Sequence, residues 1–445
     1  MILSWRRRRA GRRANKNSVN DDIDGTEMEI TIPTHFRCPI SLDLMKDPVT
    51  LSTGITYDRD SIEKWIESGN QTCPVTNQVL SSFDEIPNHT IRRMIQDWCV
   101  ENGSRGVERI PTPRIPVAPR QVLEVCERIG MATRRGDGVK CQELVGKIKA
   151  WGKDSERNKR CMAENGTGYS LCATFEAFSS SSSTEKHVSL LEQIVSVLPW
   201  MFPLGVEGQA LLGSSSSLNC IVGLLRGKDL SARQNSVLVL KELLSLDQRF
   251  VNSLAEIEGG LEALVGIIKE PICPSATKAA LTSIFYMISQ SKTCEKTRLR
   301  LVEMGLVSLL LDNIVDGEKG VCERALGVFD EICNCKEGRE KAYENALTMP
   351  LLVKKILRIS QTSSEFLVSV LWKLCKNEKR NDEGSVLVEA LQLGAFQKLL
   401  VLLQVGCDER IKEKVTELLK LFNLHRGRLD CSDSSMDFKY LKRPF

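Results

Sequence analysis

A short pattern recurs along the second half of the chain. Ile257-Glu258-Gly259-Gly260-Leu261-Glu262-Ala263-Leu264-Val265 is echoed by Val302-Glu303-Met304-Gly305-Leu306-Val307-Ser308-Leu309-Leu310, and it returns from Ala390 to Leu400 around Gly394. Weaker copies lie at Met162-Ala163-Glu164-Asn165-Gly166 and from Ala346 to Leu352. Gly260 and Gly305 are 45 residues apart, and Gly305 and Gly394 are 89 apart, close to two such units. A period of this length belongs to stacked units of two or three helices. In such units the glycine ends one helix and turns the chain into the next. Each unit is too amphipathic to fold alone, so stacking must supply the core. Amphipathic segments begin with Val122, Val125, Cys126 and Ile129 and continue to Leu424.

Composition agrees with a helical body of this kind. Hydrophobic residues make up 42% and aromatic residues only 5% of the 445, which suits cores of Leu, Ile and Val. A chain this long needs two or three domains. Its net charge of +4 is too small to imply a nucleic-acid partner for the whole molecule. No apolar run reaches the ~18 residues a membrane span requires, so no transmembrane segment is expected. Trp5 and Arg6 to Arg9 offer no apolar core for a secretory signal. A cytoplasmic protein with reduced thiols is therefore expected; its 16 cysteines are scattered, with no Cys-x-x-Cys pair.

The ends and joints are legible as well. Residues 1–32 read as a disordered tail in which seven basic residues, from Arg6 to Lys16, precede any acid. That run suits nuclear import, contact with anionic lipid at the plasma membrane, or a plain solvated tail, and the sequence leaves all three open. Pro111, Pro113, Pro116 and Pro119 make residues 108–119 a stiff, non-helical spacer. The serine runs Ser179–Ser183 and Ser214–Ser217 read as exposed loops between helices. Residues 425–445 read as a poorly ordered tail whose Phe438, Tyr440 and Leu441 have the apolar surface to dock back.

Residues 33–107 form a separate, compact module. Pro48 to Arg59 reads as a β-hairpin around Ser52-Thr53-Gly54. Asp60 or Ser61 is placed to cap a short helix carrying Ile62, Trp65 and Ile66, ended by Gly69. A second helix starts near Asn88 to Thr90, with Ile91, Met94, Ile95 and Trp98 on one face. Two Cys-Pro turns, Cys38-Pro39-Ile40-Ser41 and Cys73-Pro74-Val75-Thr76, sit where a zinc-binding RING places paired cysteines, but Ser41 and Thr76 replace each second cysteine. Two structural zinc sites need eight ligands, and the module offers only Cys38, Cys73, Cys99, His35 and His89 as thiol or imidazole ligands. Two such sites are excluded, a single one has no ligand spacing to recommend it, and no metal or other cofactor is expected. Phosphate-binding loops, dinucleotide fingerprints and nucleophile elbows are missing too, which argues against an ordinary kinase, dehydrogenase or hydrolase.

This module resembles the U-box family through Cys38-Pro39-Ile40-Ser41, Asp47-Pro48-Val49, Gly54-Ile55-Thr56-Tyr57-Asp58-Arg59, Ile62, Trp65, Cys73-Pro74-Val75-Thr76, Leu80, Ile86-Pro87-Asn88 and Ile91. The helical array resembles armadillo arrays. The resemblance implies a small α+β, zinc-free RING-like U-box followed by an all-α armadillo solenoid at residues 120–424. It implies a ubiquitin-protein ligase without a catalytic nucleophile, which binds a ubiquitin-charged conjugating enzyme through Ile40, Trp65 and Pro74. Ser41, Thr56, Asp58, Arg59 and Thr76 then form the polar network that replaces zinc, with Cys38 and Cys73 as packing residues. Many related ligases clamp ubiquitin with an arginine just after the second loop. Asn77 stands there, able to donate a hydrogen bond without charge, and it leaves room for help from a homodimer through the U-box. The array is expected to hold the protein substrate, and the overall layout resembles plant U-box proteins of defence and stress signalling. Import receptors of armadillo type repeat Trp and Asn on the third helix; the mixed equivalents here, such as Glu331 and Lys373, disfavour that role. The alternative to a ligase is a non-catalytic armadillo adaptor.

Overall fold

A computed structural model describes residues 31–111, 116–181, 184–289, 294–378 and 385–425. The basic run from Arg6 to Lys16, Pro113, Ser182 and Ser183, and Phe438, Tyr440 and Leu441 lie outside them. The chain divides between Ile115 and Pro116 into two compact units.

In the first unit, β1 (Pro48–Thr50) pairs antiparallel with β2 (Thr56–Asp58), with Val49 opposite Tyr57. Gly54 closes the hairpin at φ +77, a conformation only glycine adopts freely. A third strand missed in the sequence, β3 (Ile86–Pro87), pairs with the other edge of β1. It is only two residues long, and its proline is tolerated because it lies at the sheet edge. Helix α1 (Arg59–Glu67) follows β2 directly. It starts before the expected caps Asp60 and Ser61, and Asp58 at its N-cap position makes no capping bond because that carboxylate is used elsewhere. Helix α2 (His89–Glu101) starts where expected, and the Asn88 side chain caps it by accepting from the Ile91 amide. Val49, Tyr57, Ile62, Cys73, Ile95 and Cys99 are fully enclosed in the core.

The ends of the spacer are anchored. Ile110 is buried in the core of the first unit, and Arg92 donates to the carbonyl of Pro111. Val117 is buried in the second unit, where its amide donates to Asn158.

The second unit is helical, with one continuous apolar core from Val117 to Phe422. Every third helix is part of a ladder: α3 (Gly138–Asp154), α4 (Val188–Val197), α5 (Leu230–Leu246), α6 (Pro274–Ser289), α7 (Lys319–Ile332), α8 (Gln361–Asn377) and α9 (Glu409–His425). Each packs on the next. The glycines that precede the middle helices of their units take left-handed conformations: Gly166 φ +78, Gly259 φ +82, Gly305 φ +78 and Gly394 φ +81. The turn in the second of these repeats is therefore made by Gly259, not Gly260, which is already the first helical residue.

The serine run at 214–217 is not a loop. Ser214 caps the helix Ser215–Arg226, accepting from the Ser217 amide, and buried Ser217 donates to the Leu211 carbonyl. Serine suits a helix start because its hydroxyl satisfies an amide left without an intrahelical partner. The described cysteines are free thiols, and burial pushes those of Cys172 and Cys220 up to about 12.

Candidate functional site

The two Cys-Pro turns are two copies of one loop. In the first, the Cys38 amide donates to the Asp43 carbonyl at 2.9 Å and the Leu42 amide donates to the Cys38 carbonyl at 2.8 Å. In the second, the Cys73 amide donates to the Gln78 carbonyl at 2.9 Å and the Asn77 amide donates to the Cys73 carbonyl at 2.9 Å. Ser41 Oγ accepts from Asp43 N at 3.4 Å, just as Thr76 Oγ1 accepts from Gln78 N at 3.4 Å. Leu42 and Asn77 occupy matching left-handed positions, φ +61 and +56. Asparagine enters that region readily and leucine does not, so Leu42 is the strained member of the pair.

This geometry redistributes the roles expected of the polar residues. Ser41 and Thr76 are exposed, and among the described residues their hydroxyls accept bonds within their own loops. The loops are tied to the hairpin by the cysteines, which do more than pack. Cys38 Sγ accepts from the Asp58 amide at 3.3 Å. Cys73 Sγ accepts from Thr53 Oγ1 at 3.3 Å and lies 3.0 Å from the Tyr57 hydroxyl, which itself accepts from the Val75 amide. Burial raises the Cys73 thiol, but the hydroxyls of Thr53, Thr76 and Tyr57 outweigh it and bring the pKa down to about 6. Burial, and then the contact with Cys73, push the Tyr57 phenol well above its ordinary value.

Asp58 and Arg59 do bridge distant segments. Asp58 Oδ1 accepts from the amides of Lys46 (2.7 Å) and Asp47 (2.9 Å). Arg59 reaches Asp47 through Nε and Glu85 through Nη1, each at 2.7 Å, and Arg92 adds a contact to Asp47 at 3.4 Å. Burial alone would lower the Arg59 guanidinium; Asp47 and Glu85 more than offset it. Thr56 Oγ1 lies 2.9 Å from Thr50 Oγ1, and the Asn88 side chain donates to both hydroxyls. Asp47 and Asn88 stood only in the matched pattern, with no network role assigned. Glu85 and Arg92 carry no local signal, because their partners lie 26 and 45 residues away.

The three residues expected to bind a partner are all half-buried: Ile40 in the first loop, Trp65 on α1 and Pro74 in the second loop. Trp65 donates its indole N–H to the Thr72 carbonyl at 2.8 Å, which pins the ring beside the second loop. Leu42 (69% exposed), Val75 (52%) and Val79 (74%) add apolar surface to the same two loops, a feature the sequence pattern did not single out. Asn77 is exposed. Among the described residues no three His, Cys, Asp or Glu side chains converge on a metal position.

Residues 32–104 match the family described as "U-box domain", and residues 121–442 match "Plant U-box protein ARM repeat region". The chain belongs to the plant U-box family. It is 51% identical to U-box domain-containing protein 21 of Arabidopsis thaliana over 94% of each chain. It is also 51% identical to U-box domain-containing protein 20 of that plant over the full length of both. E3 ubiquitin-protein ligase PUB23 of Arabidopsis thaliana is 35% identical, over 88% of this chain and 93% of the relative. A designed armadillo repeat protein superposes with a TM-score of 0.45 at 18% identity, over 56% of this chain and 98% of that one. The U-box places this protein among the ubiquitin-protein transferases.

Proposed function

We propose that the U-box docks a ubiquitin-charged conjugating enzyme on the face made by Ile40, Trp65 and Pro74. Ubiquitin is then passed to a lysine of a protein held by the ladder of third helices, in plant defence or stress signalling. The observation that carries the docking reading is the pairing of a hydrogen-bonded, half-buried Trp65 with two loops that expose Leu42, Val75 and Val79. Exposed apolar side chains around a fixed aromatic are characteristic of interface anchors. The thioester stays on the conjugating enzyme. Catalysis is then positional: the loops hold the thioester in a geometry open to attack. Asn77, exposed at the end of the second loop, contributes a hydrogen bond to ubiquitin without a charge.

Self-ubiquitination with purified activating enzyme and a panel of conjugating enzymes tests this reading. Trp65→Ala is expected to slow chain formation about tenfold or more, as loss of a central anchor does, and the circular dichroism of the helices should not change. Chain formation at the wild-type rate would move the docking face elsewhere. Absence of chains with every conjugating enzyme would favour the adaptor.

A further inference from the structure

The C-terminal end of the helical ladder carries a cluster that the ligase reading does not use. Trp372, half-buried on α8, has the ammonium of Lys376 4.3 Å from its ring centroid and that of Lys414, on α9, at 5.5 Å. Its indole N–H donates to Glu417 Oε2 at 2.7 Å, and Lys376 donates to the same oxygen at 3.1 Å. Lys420 also acts on Glu417. Lys373 is already taken: its ammonium lies 2.8 Å from Asp330 Oδ1 and donates to the Asp330 carbonyl at 2.7 Å, with only 12% and 15% of the two side chains exposed. Lys414 donates to Ser369 Oγ at 2.7 Å, and no carboxylate lies at bonding distance from it among the described residues. Burial lowers the Lys414 ammonium, Asp330 works against that, and Lys373 adds to it.

Four ammonium groups, Lys373, Lys376, Lys414 and Lys420, thus share two carboxylates, Asp330 and Glu417. Toward the middle of the ladder the charges are matched instead, Lys278 with Glu318 and Arg298 with Glu331. Two of these ammoniums, Lys376 and Lys414, lie over one partly exposed aromatic ring.

We propose that this end of the ladder is a docking surface for an acidic, Asp/Glu-bearing segment of a partner protein. Its carboxylates bind Lys414 and Lys376, and an adjoining apolar side chain lies on the Trp372 ring. Complementary charge favours encounter and fixes the register, and the ring supplies the desolvated contact. Glu417 acts as a resident competitor, holding Lys376 and the indole N–H until the partner arrives. The proposal rests on the reading of the repeats as the substrate-holding half.

The test selects random dodecapeptides displayed on phage against the full-length protein, then measures the enriched peptides by fluorescence anisotropy. No conjugating enzyme is present, so docking is read apart from ubiquitin transfer. Peptides of net negative charge are expected to be enriched. Lys376→Glu with Lys414→Glu should weaken them about tenfold or more, and the corresponding Gln pair by about threefold, with unchanged melting of the Gln protein as the folding control. Glu417→Gln should tighten them about threefold, a change that a merely structural Glu417 would not produce. Raising salt from about 50 to 500 mM should weaken binding by screening. Enrichment of neutral or basic peptides, no enrichment at all, or affinity indifferent to both lysine pairs would overturn the proposal. So would binding that requires phosphoserine in place of Asp or Glu. Normal peptide binding alongside failed ubiquitin transfer would count against the ligase reading and leave this one standing.

Discussion

Asp58 shows how one side chain can hold two distant segments together. Its carboxylate gathers two amides, and burial still raises its pKa above its ordinary value, against the lowering effect of the Asp47 and Lys46 amides. A carboxyl whose pKa is higher folded than unfolded adds stability below its unfolded pKa and loses it as pH rises through the folded pKa. At neutral pH the oxygen therefore helps and the charge hurts. Asp58→Asn keeps an acceptor for both amides, so denaturant titrations at pH 7 should find stability unchanged or higher, with a flatter pH dependence from the ordinary carboxylate pKa upward. Asp58→Ala leaves both amides without their acceptor and should lose about 2 kcal/mol. Tyr57→Phe removes the hydroxyl between Cys73 and Val75. Faster hydrogen exchange at the Val75 amide and a loss of about 1 kcal/mol are expected. Asp58 and Arg59 were legible because they stand in the stretch Gly54 to Arg59 through which the chain resembles the U-box family. The sulfur acceptors were not, since a Cys-Pro turn reads the same whether its thiol packs, binds metal or accepts a hydrogen bond.

At the scale of elements, caps and turns set where each segment begins. Asn88 caps α2 and also ties that helix to Thr50 and Thr56 on the hairpin. Asn88→Ala should cost about 2 kcal/mol, near the upper end for a cap, because the cross-links go with it; guanidinium titration of the first unit measures this. In the repeats, a Cβ added at Gly305 meets no atom within 4 Å, so its φ of +78 is the whole obstacle. Gly305→Ala should destabilise the second unit by about 1 kcal/mol, seen as a lower melting temperature, and Gly305→Asn by less. The repeat was legible in spacing, but the choice between Gly259 and Gly260 was not. Adjacent glycines look alike in a pattern, and only the backbone shows which one turns.

Across the whole second unit, neighbouring repeats are fastened by charges that sequence reading treats as solvated. Lys373 and Asp330 join α8 to α7 in nearly buried surroundings. Removing one partner strands the other, so Lys373→Met should destabilise the array by about 3 kcal/mol in denaturant titrations. Adding Asp330→Leu should recover most of that loss, because an apolar pair of similar volume carries no desolvation cost. A double variant no more stable than the single would show that the pair matters beyond its mutual charge. Lys373 sits at a position the sequence could only assign to a third helix in uncertain register. Its partner, 43 residues away, was invisible to any local pattern.

The sequence by itself determined the two-part plan: a module whose cysteines and histidines are too few for two zinc sites, a proline spacer, and a period that commits the remainder to stacked helices. Those are properties of composition and spacing, which survive without coordinates. Tertiary structure alone decided that the paired loops repeat one hydrogen-bond pattern and that Cys38 and Cys73 are its acceptors. It also decided that Glu85 and Arg92 complete the network, that Ser217 lies inside a helix, and that Lys376 and Lys414 meet over one tryptophan ring at the end of the ladder. Each of these depends on groups far apart in the chain meeting in a particular register, and that register comes from packing the cores.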